Sequence, residues 1–299
     1  MVKRFFDLTA NEMVELSKED LLTAIQACEG RVVLSENDVT RGPTVIGVTN
    51  SELARASGAD LILLNKLDLQ DPKIPALANS SKPIADLKKL VMRPIGVNLE
   101  AVSHHREKSL EPLLTLPTGR IANYDNCNLA ERMGFDFICL TGNPKTGVSL
   151  SALVEALRVA RDAFSGIIMI GKMHSAGVDE PVIDRETVLA FIDAGADVIL
   201  IPTPGSLPGF TREEAIELTR LCHQKGKLTL AVNGASQDYS SRETIRQFAI
   251  INKEIGSDIH HIGSSGTGGI APSENIFELS LAIRGLNHTL RQMASSIKR

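Results

Sequence analysis

Short apolar runs that are rich in β-branched residues recur along the chain at an even spacing. Eight such runs occur, and they lie at Arg31–Glu36, Asp60–Asn65, Pro94–Glu100, Phe135–Thr141, Gly166–His174, Ala196–Pro202, Lys227–Asn233 and Asp258–Gly263. Successive runs begin roughly thirty to forty residues apart, which is the length of one strand-and-helix unit. The pattern therefore predicts eight strands that alternate with helices.

The segments between these runs have apolar positions at helical spacing. The clearest helical patterns span Ser149–Phe164, Arg185–Ala194, Arg212–Gln224 and Arg242–Ile255. Thr211 and Glu214 have the spacing of a capping box, and Ser241 is a suitable N-cap for the helix that follows it. These signals place helix starts where the strand pattern requires them.

One junction occurs four times where a helical pattern gives way to the next apolar run. It reads glycine, any residue, aspartate, and it lies at Gly58 to Asp60, Gly134 to Asp136, Gly195 to Asp197 and Gly256 to Asp258. A glycine at this point accepts the left-handed conformation that closes a helix, and the aspartate leads into the next strand. Four copies of one junction indicate a single repeated architecture.

Eight strands that alternate with eight helices predict a (β/α)8 barrel, also called a TIM barrel. A doubly wound sheet is the structural alternative, but it would require neither the even spacing nor the eighth unit. We expect residues 1–299 to form one barrel domain. Residues 1–30, with the helical pattern Glu12–Cys28, would be an N-terminal helical extension that plugs or flanks the bottom of the barrel.

Composition narrows the classes of protein to which the chain can belong. Hydrophobic residues make up 43% and charged residues 23%, with a mean hydropathy of +0.02, which is enough to form a buried core. The net charge of -4 provides no basic surplus for nucleic acid, and only 4% of residues are aromatic. No apolar run approaches the length of a membrane span, and the four cysteines share no short spacing. We expect a reduced, cytoplasmic protein that does not associate with membranes and is compatible with a homo-oligomer.

The active site of a (β/α)8 barrel lies at the carboxyl ends of its strands. Alternation along the third run predicts that Asn98 and Glu100 face the barrel interior, and the same alternation puts Lys172 and His174 on one side of the fifth run. A lysine within so apolar a run needs a carboxylate, a phosphate or a lowered pKa. We expect Lys172, Glu100, Glu36 and His174 to carry the catalysis.

The segments after the last two runs are suited to binding an anion. Gly263 to Gly269 contains four glycines in seven residues, and Asn233 is followed by glycine, alanine and serine. Small residues of this kind let backbone amides converge on a phosphate, and this fold binds phosphate after its seventh and eighth strands. The predicted substrate and phosphate contacts are Asn98, Asn233, Gly234, Gly263, Ser264, Ser265 and Gly266.

Motifs for a bound cofactor are absent from the sequence. The chain contains neither a P-loop nor HExxH, and its glycine-rich segment follows the last strand instead of the first. No cofactor is therefore predicted. Mg²⁺ is the one metal ion whose binding remains an alternative, and Glu36, Asp68 and Glu100 would then be its ligands.

The Asn233 and Gly263 segments resemble those of the phosphate-binding (β/α)8 superfamily. More narrowly, Phe6 to Thr9, Glu29–Glu36, Asp60–Asn65, Gly96–Glu100 and His261 to Gly263 resemble a family of bacterial barrels without an assigned reaction. Those barrels are loosely described as phosphoenolpyruvate-phosphonomutase-like or haloacid dehalogenase-like, and are often associated with sugar-uptake operons. The resemblance covers nearly the whole chain, but it implies no catalytic residues.

The leading hypothesis is an enzyme that acts on a small phosphorylated metabolite, with a sugar phosphate favoured. Aldol-type cleavage, isomerisation and epimerisation are the reactions considered, with Lys172 as an imine-forming or charge-neutralising group and a carboxylate or His174 moving the proton. One alternative is a Mg²⁺-dependent lyase or mutase that acts on a phosphorylated or keto acid. Another is a non-catalytic regulatory protein that binds a phosphosugar.

Overall fold

Eight parallel strands close into a barrel in the computed structural model, which describes residues 3–77, 80–102, 109–233, 236–264 and 268–299. The strands are β1 (Val32–Asp38), β2 (Leu61–Asn65), β3 (Ile95–Glu100), β4 (Phe137–Thr141), β5 (Ile167–Ile170), β6 (Val198–Pro202), β7 (Leu228–Val232) and β8 (Ile259–Ile262). Each strand pairs with its neighbours in chain order, and β8 pairs with β1. The predicted (β/α)8 fold is confirmed.

Helices precede β1 and follow the strands around the barrel. They are α1 (Ala10–Val14), α2 (Lys18–Gln26), α3 (Asn50–Ala56), α4 (Pro83–Val91), α5 (Tyr124–Met133), α6 (Leu150–Ala163), α7 (Arg185–Asp193), α8 (Arg212–Gln224), α9 (Arg242–Glu254) and α10 (Ser273–Ala294). Within the described ranges, no helix is both long enough and apolar enough to cross a membrane.

The N-terminal segment has two short helices where the sequence pattern predicted one. The side chain of Ser17 accepts the backbone N–H of Asp20 and so starts α2 as a separate helix. Phe5 and Phe6 are fully buried, and they belong to the same apolar cluster as Val32 and Leu61 of the barrel interior. The extension therefore closes the amino-terminal end of the barrel.

Alternating side chains divide the core into two layers. Leu61 and Leu63 of β2 lie in the cluster inside the barrel, whereas Ile62 and Leu64 lie in the cluster between the strands and the helices. Val97 of β3 also belongs to the outer cluster. The predicted alternation holds, and it turns alternate polar residues at the strand ends toward the barrel axis.

Strand β5 is shorter than the run that predicted it. It ends at Ile170, and the next residue, Gly171, has a φ of 149°. A Cβ at Gly171 would lie 2.6 Å from Cβ of Leu200, so the close approach of β6 requires glycine. Lys172 and His174 therefore follow the strand, and the strand alternation from which their side was predicted does not extend to them.

The four repeated junctions have one function in the fold. Each glycine has a positive φ, as predicted, and each aspartate accepts a backbone N–H from the preceding strand. The bonds join Asp60 to Val33 at 2.8 Å, Asp136 to Ile95 at 2.7 Å, Asp197 to Ile168 at 2.9 Å and Asp258 to Thr229 at 2.8 Å. The aspartates before the even-numbered strands thus hold the starts of the odd-numbered strands.

Each of these aspartates also binds a basic side chain from a helix. That helix comes directly before the odd-numbered strand whose backbone N–H the same aspartate accepts, with α10 coming before β1 in the closed ring. The pairs are Asp60 with Arg284 of α10, Asp136 with Lys88 of α4, Asp197 with Arg161 of α6 and Asp258 with His223 of α8. One carboxylate therefore fixes two strands and a helix, and this arrangement occurs four times around the amino-terminal end of the barrel.

The pair of Asp60 and Arg284 is fully buried, so its loss should be severe. Asp60→Ala leaves the Arg284 guanidinium without its carboxylate, and we expect the free energy of unfolding to fall by about 3 kcal/mol. The matched control is Asp71→Ala, because Asp71 pairs with Lys73 in an exposed position. That change should cost less than about 0.5 kcal/mol. Urea denaturation measures both variants, and equal losses would contradict this account of the junction.

Candidate active site

A cavity of about 90 Å³ lies at the carboxyl ends of the strands, where the fold predicts an active site. Most of the residues that line it have polar side chains. They include Glu36, Asn65, Lys66, Asn98, Thr141, Asn143, His174, Asn233 and His261. Most of these side chains come from strand ends or from the residues directly after them.

A histidine and a carboxylate from neighbouring strands face each other in this cavity. His261 of β8 lies 2.9 Å, Nε2 to Oε2, from Glu36 of β1, and both side chains are almost fully buried. In the tautomer whose Nε2 proton the carboxylate accepts, Nδ1 carries the lone pair. This Nδ1 is buried and has no hydrogen-bond partner among the described residues. A Cβ at Gly263 would lie 2.6 Å from the imidazole, so glycine leaves room for the ring.

A pair of asparagines connects Glu36 to a second buried carboxylate. Asn65 and Asn143 exchange two hydrogen bonds of 2.9 Å through their side-chain amides. Asn65 also donates to Glu36, and Asn143 donates to Glu100, each at 2.5 Å. Arg120 completes the series with a 2.6 Å ion pair to Glu100. These contacts fix the orientation of the Glu36 carboxylate that holds His261.

His174 presents a different form of imidazole to the cavity. Its Nδ1 accepts the backbone N–H of Ala176 at 3.0 Å, so the proton of the neutral ring lies on Nε2. Burial lowers the pKa of His174, and the positive charge of Lys172 lowers this pKa further. At neutral pH this ring is an uncharged hydrogen-bond donor.

Lys172 lies beside the cavity and is not one of its lining residues. Its fully buried ammonium group pairs with Glu180 at 2.8 Å, and the same carboxylate oxygen accepts the N–H of Leu150 at the start of α6. Burial lowers the pKa of Lys172, while Glu180 acts in the opposite direction. The carboxylate that this lysine was expected to need is therefore Glu180.

The other predicted contacts divide into two groups. Asn98, Asn233, Gly263 and Ser264 line the cavity. Gly234, Ser265 and Gly266 lie outside the described residues. The structure thus brings the described members of the predicted substrate site together with Glu36 and His174.

The acidic residues considered for Mg²⁺ do not form a suitable site. Asp68 accepts the N–H of Gln70 in a loop and does not line the cavity. Both oxygens of Glu36 and Oε1 of Glu100 already accept hydrogen bonds, and Arg120 supplies the positive charge beside Glu100. Within the described part of the chain, no group of three His, Cys, Asp or Glu side chains could hold a metal ion. The residues present do not fit Mg²⁺.

Sequence reasoning did not single out His261, Lys66 or Arg120 as site residues. His261 could have been found, because alternation from the inward-facing Ile259 places it inside the barrel. Lys66 lies just after β2 with a φ of 60°, and its ammonium group pairs with Asp38 at 2.5 Å. Arg120 comes from a short 3₁₀ helix in the long segment between β3 and α5. No periodic pattern identifies Lys66 or Arg120.

Comparisons with known proteins extend over most of the chain. A family model described as a domain of unknown function (DUF7916) matches residues 6–299. No curated protein matches in sequence. An archaeal fructose 1,6-bisphosphate aldolase is similar in structure with a TM-score of 0.53 and 14% identity, covering 88% of this chain and 98% of that chain. A 2,3-dimethylmalate lyase of the PEP mutase/isocitrate lyase superfamily gives 0.50 and 14%, covering 85% and 81%. Identities this low show only a shared fold.

The environment of His174 predicts a histidine that stays neutral until the solution is clearly acidic. NMR titration of the imidazole should give a pKa below the ordinary value of about 6.5. Lys172→Met removes the neighbouring positive charge and should raise this pKa, although burial remains the larger cause. A wild-type pKa at or above the ordinary value, or no change in Lys172→Met, would contradict this description of the site.

Proposed function

The chain belongs to the DUF7916 family, and we propose that its barrel is an enzyme that moves a proton at a carbon atom next to a carbonyl group. The substrate is a small phosphorylated metabolite, with a sugar phosphate favoured. The reaction is isomerisation, epimerisation or aldol-type cleavage. The observation that carries the proposal is the buried pair of His261 and Glu36 in the wall of the cavity.

His261 is suited to act as the general base. Its Nδ1 accepts the proton as the C–H bond breaks, and the electron pair of that bond forms the enediolate. The imidazole then becomes positively charged, and the Glu36 carboxylate at 2.9 Å stabilises this charge. In aldol-type cleavage, the same group removes the proton from a hydroxyl while the adjacent C–C bond breaks. Return of the proton to the product restores the neutral ring.

His174 is suited to stabilise the oxygen that gains negative charge. The bond from Ala176 to Nδ1 keeps the proton on Nε2, so the ring donates a hydrogen bond to the carbonyl oxygen. Because the neutral imidazole already carries its proton on Nε2, it donates this hydrogen bond without any change in its protonation. Lys172 has no direct part in this mechanism, because its ammonium group is engaged by Glu180.

The side of the cavity formed by the ends of β7 and β8 is suited to the phosphate group. Asn233, Gly263 and Ser264 line that side, and Nδ2 of Asn233 is a buried donor without a partner among the described residues. The resemblance of these segments to phosphate-binding barrels supports the assignment. The aldolase and the lyase that share the fold are analogies for the reaction class, and they identify no substrate here.

Proton exchange with solvent tests the proposal directly. The protein is incubated in D2O with a panel of three- to six-carbon aldose and ketose phosphates, and NMR follows the C–H next to each carbonyl. We expect exchange in at least one compound, and we expect His261→Asn and Glu36→Gln each to reduce its rate by roughly 10²- to 10⁴-fold.

The matched control for that experiment is His223→Asn. His223 also pairs with a carboxylate, Asp258, but it lies at the opposite end of the barrel. Its replacement should leave the exchange rate unchanged in folded protein. Binding of a sugar phosphate with no exchange of any C–H would contradict the proposed enzyme and favour the regulatory alternative.

Removal of divalent metal should have no effect on the exchange. The oxygens of Glu36 accept from His261 and Asn65, and a bound Mg²⁺ would displace these contacts. Protein treated with EDTA is therefore expected to exchange the proton at the rate of untreated protein. Loss of exchange with EDTA and its recovery with Mg²⁺ would support the Mg²⁺-dependent lyase instead.

A further inference from the structure

Three buried polar atoms lie together on the part of the barrel formed by β3 and β4. Asn98 and Glu100 belong to β3, and Thr141 of β4 is the Cα partner of Glu100. All three residues are at most 3% exposed. Asn98 Oδ1, Glu100 Oε2 and Thr141 Oγ1 have no hydrogen-bond partner among the described residues. Asn98 and Thr141 line the cavity, whereas Glu100 is not one of its lining residues. We call these three residues the acceptor wall, and Asn98 and Thr141 are the members that a ligand in the cavity contacts.

The acceptor wall requires hydrogen-bond donors. A buried oxygen without a donor loses the hydrogen bonds that water supplied in the unfolded chain. Hydroxyl groups can donate to all three oxygens, whereas carbonyl, carboxylate and fully ionised phosphate groups can only accept and would leave the oxygens of Asn98 and Glu100 without a donor. The Thr141 hydroxyl can both donate and accept, so it also pairs with a ligand hydroxyl. Arg120 already balances the charge of Glu100, so a neutral donor is sufficient there.

The charges near this wall disfavour an anion. Lys66 is the one lysine or arginine among the described residues that line the cavity, and Asp38 already neutralises it. Glu36 lines the same cavity, and its carboxylate is held by His261 and Asn65 without a cationic lysine or arginine. A phosphate beside the acceptor wall would place its negative charge against acceptor oxygens without donors, including Oε2 of the Glu100 carboxylate, in a poorly solvated place.

The opposite side of the cavity offers a buried hydrogen-bond donor. In a closed ring of eight strands, β7 lies across from β3. Asn233 follows β7, and its buried Nδ2 is a donor without a partner among the described residues. An acceptor such as a phosphate oxygen fits that position, and a hydroxyl donor fits the acceptor wall.

We infer that the acceptor wall binds an uncharged, hydroxyl-bearing end of the ligand, and that any phosphate group lies across the cavity near Asn233. The inference rests on the proposed function for the kind of substrate, but it concerns binding and needs no turnover. We therefore expect tighter binding of compounds that have hydroxyl groups at the end remote from the phosphate.

Two probes that share a phosphate end and differ at the remote end test this inference. Glycerol 3-phosphate carries two hydroxyl groups, and propyl phosphate has the same length with none. We expect wild-type protein to bind glycerol 3-phosphate at least about tenfold more tightly in an NMR titration, the effect of one or more neutral hydrogen bonds. Thr141→Val removes one hydroxyl with little change in volume. This change should lower the affinity for glycerol 3-phosphate by about tenfold and leave the affinity for propyl phosphate unchanged.

Thr219→Val is the matched control. Thr219 also has a buried hydroxyl without a described partner, but it lies on α8. Its replacement should not alter the affinity for either probe. Equal affinities of wild type for the two probes, an equal loss of both in Thr141→Val, or no binding of glycerol 3-phosphate would overturn the inference. Selective binding without any proton exchange would contradict the proposed enzyme and leave the inference standing.

Discussion

The barrel depends on four aspartate carboxylates at the amino-terminal ends of its strands, of which Asp60 and Asp258 are buried. Asp60 and its three counterparts each accept a backbone N–H from one strand and bind a basic side chain from an adjacent helix. A buried carboxylate is stable only when donors and positive charge surround it, so each one enforces a particular placement of strand and helix. These hydrogen bonds and ion pairs lie at the amino-terminal end of the barrel. The carboxyl-terminal end can therefore carry polar residues that do not stabilise the fold.

Glu36, at the carboxyl-terminal end of the barrel, is a buried carboxylate that is satisfied differently. Glu36 receives its hydrogen bonds from His261 and Asn65, and an amide pair with Asn143 continues to Glu100. Neutral donors orient Glu36 without cancelling its charge, which remains available to stabilise a protonated imidazole. Arg284 neutralises Asp60, whereas neutral groups hold Glu36. This contrast distinguishes the amino-terminal end of the barrel, which stabilises the fold, from the carboxyl-terminal end, which carries the proposed chemistry.

The sequence predicted the fold more fully than the site, for physical reasons. Even spacing and the four glycine junctions determine the barrel, because strand and helix periodicities are local properties. Alternation also placed Asn98 and Glu100 inside, since β3 is regular up to these residues. It did not apply to Lys172, because Gly171 ends the strand first. Arg120 and Lys66 reach the region from loops, and their positions depend on tertiary contacts with Glu100 and Asp38 that no periodic pattern encodes.

The central claim is that Glu36 holds His261 with its proton on Nε2, which leaves Nδ1 able to take a proton from a substrate. A long-range proton–nitrogen NMR spectrum of labelled protein at neutral pH observes this directly, because the two ring nitrogens have different shifts when protonated. The account predicts a protonated Nε2 and an unprotonated Nδ1 in wild type, with this preference weakened in Glu36→Gln. A His261 ring protonated on Nδ1 in wild type would contradict it.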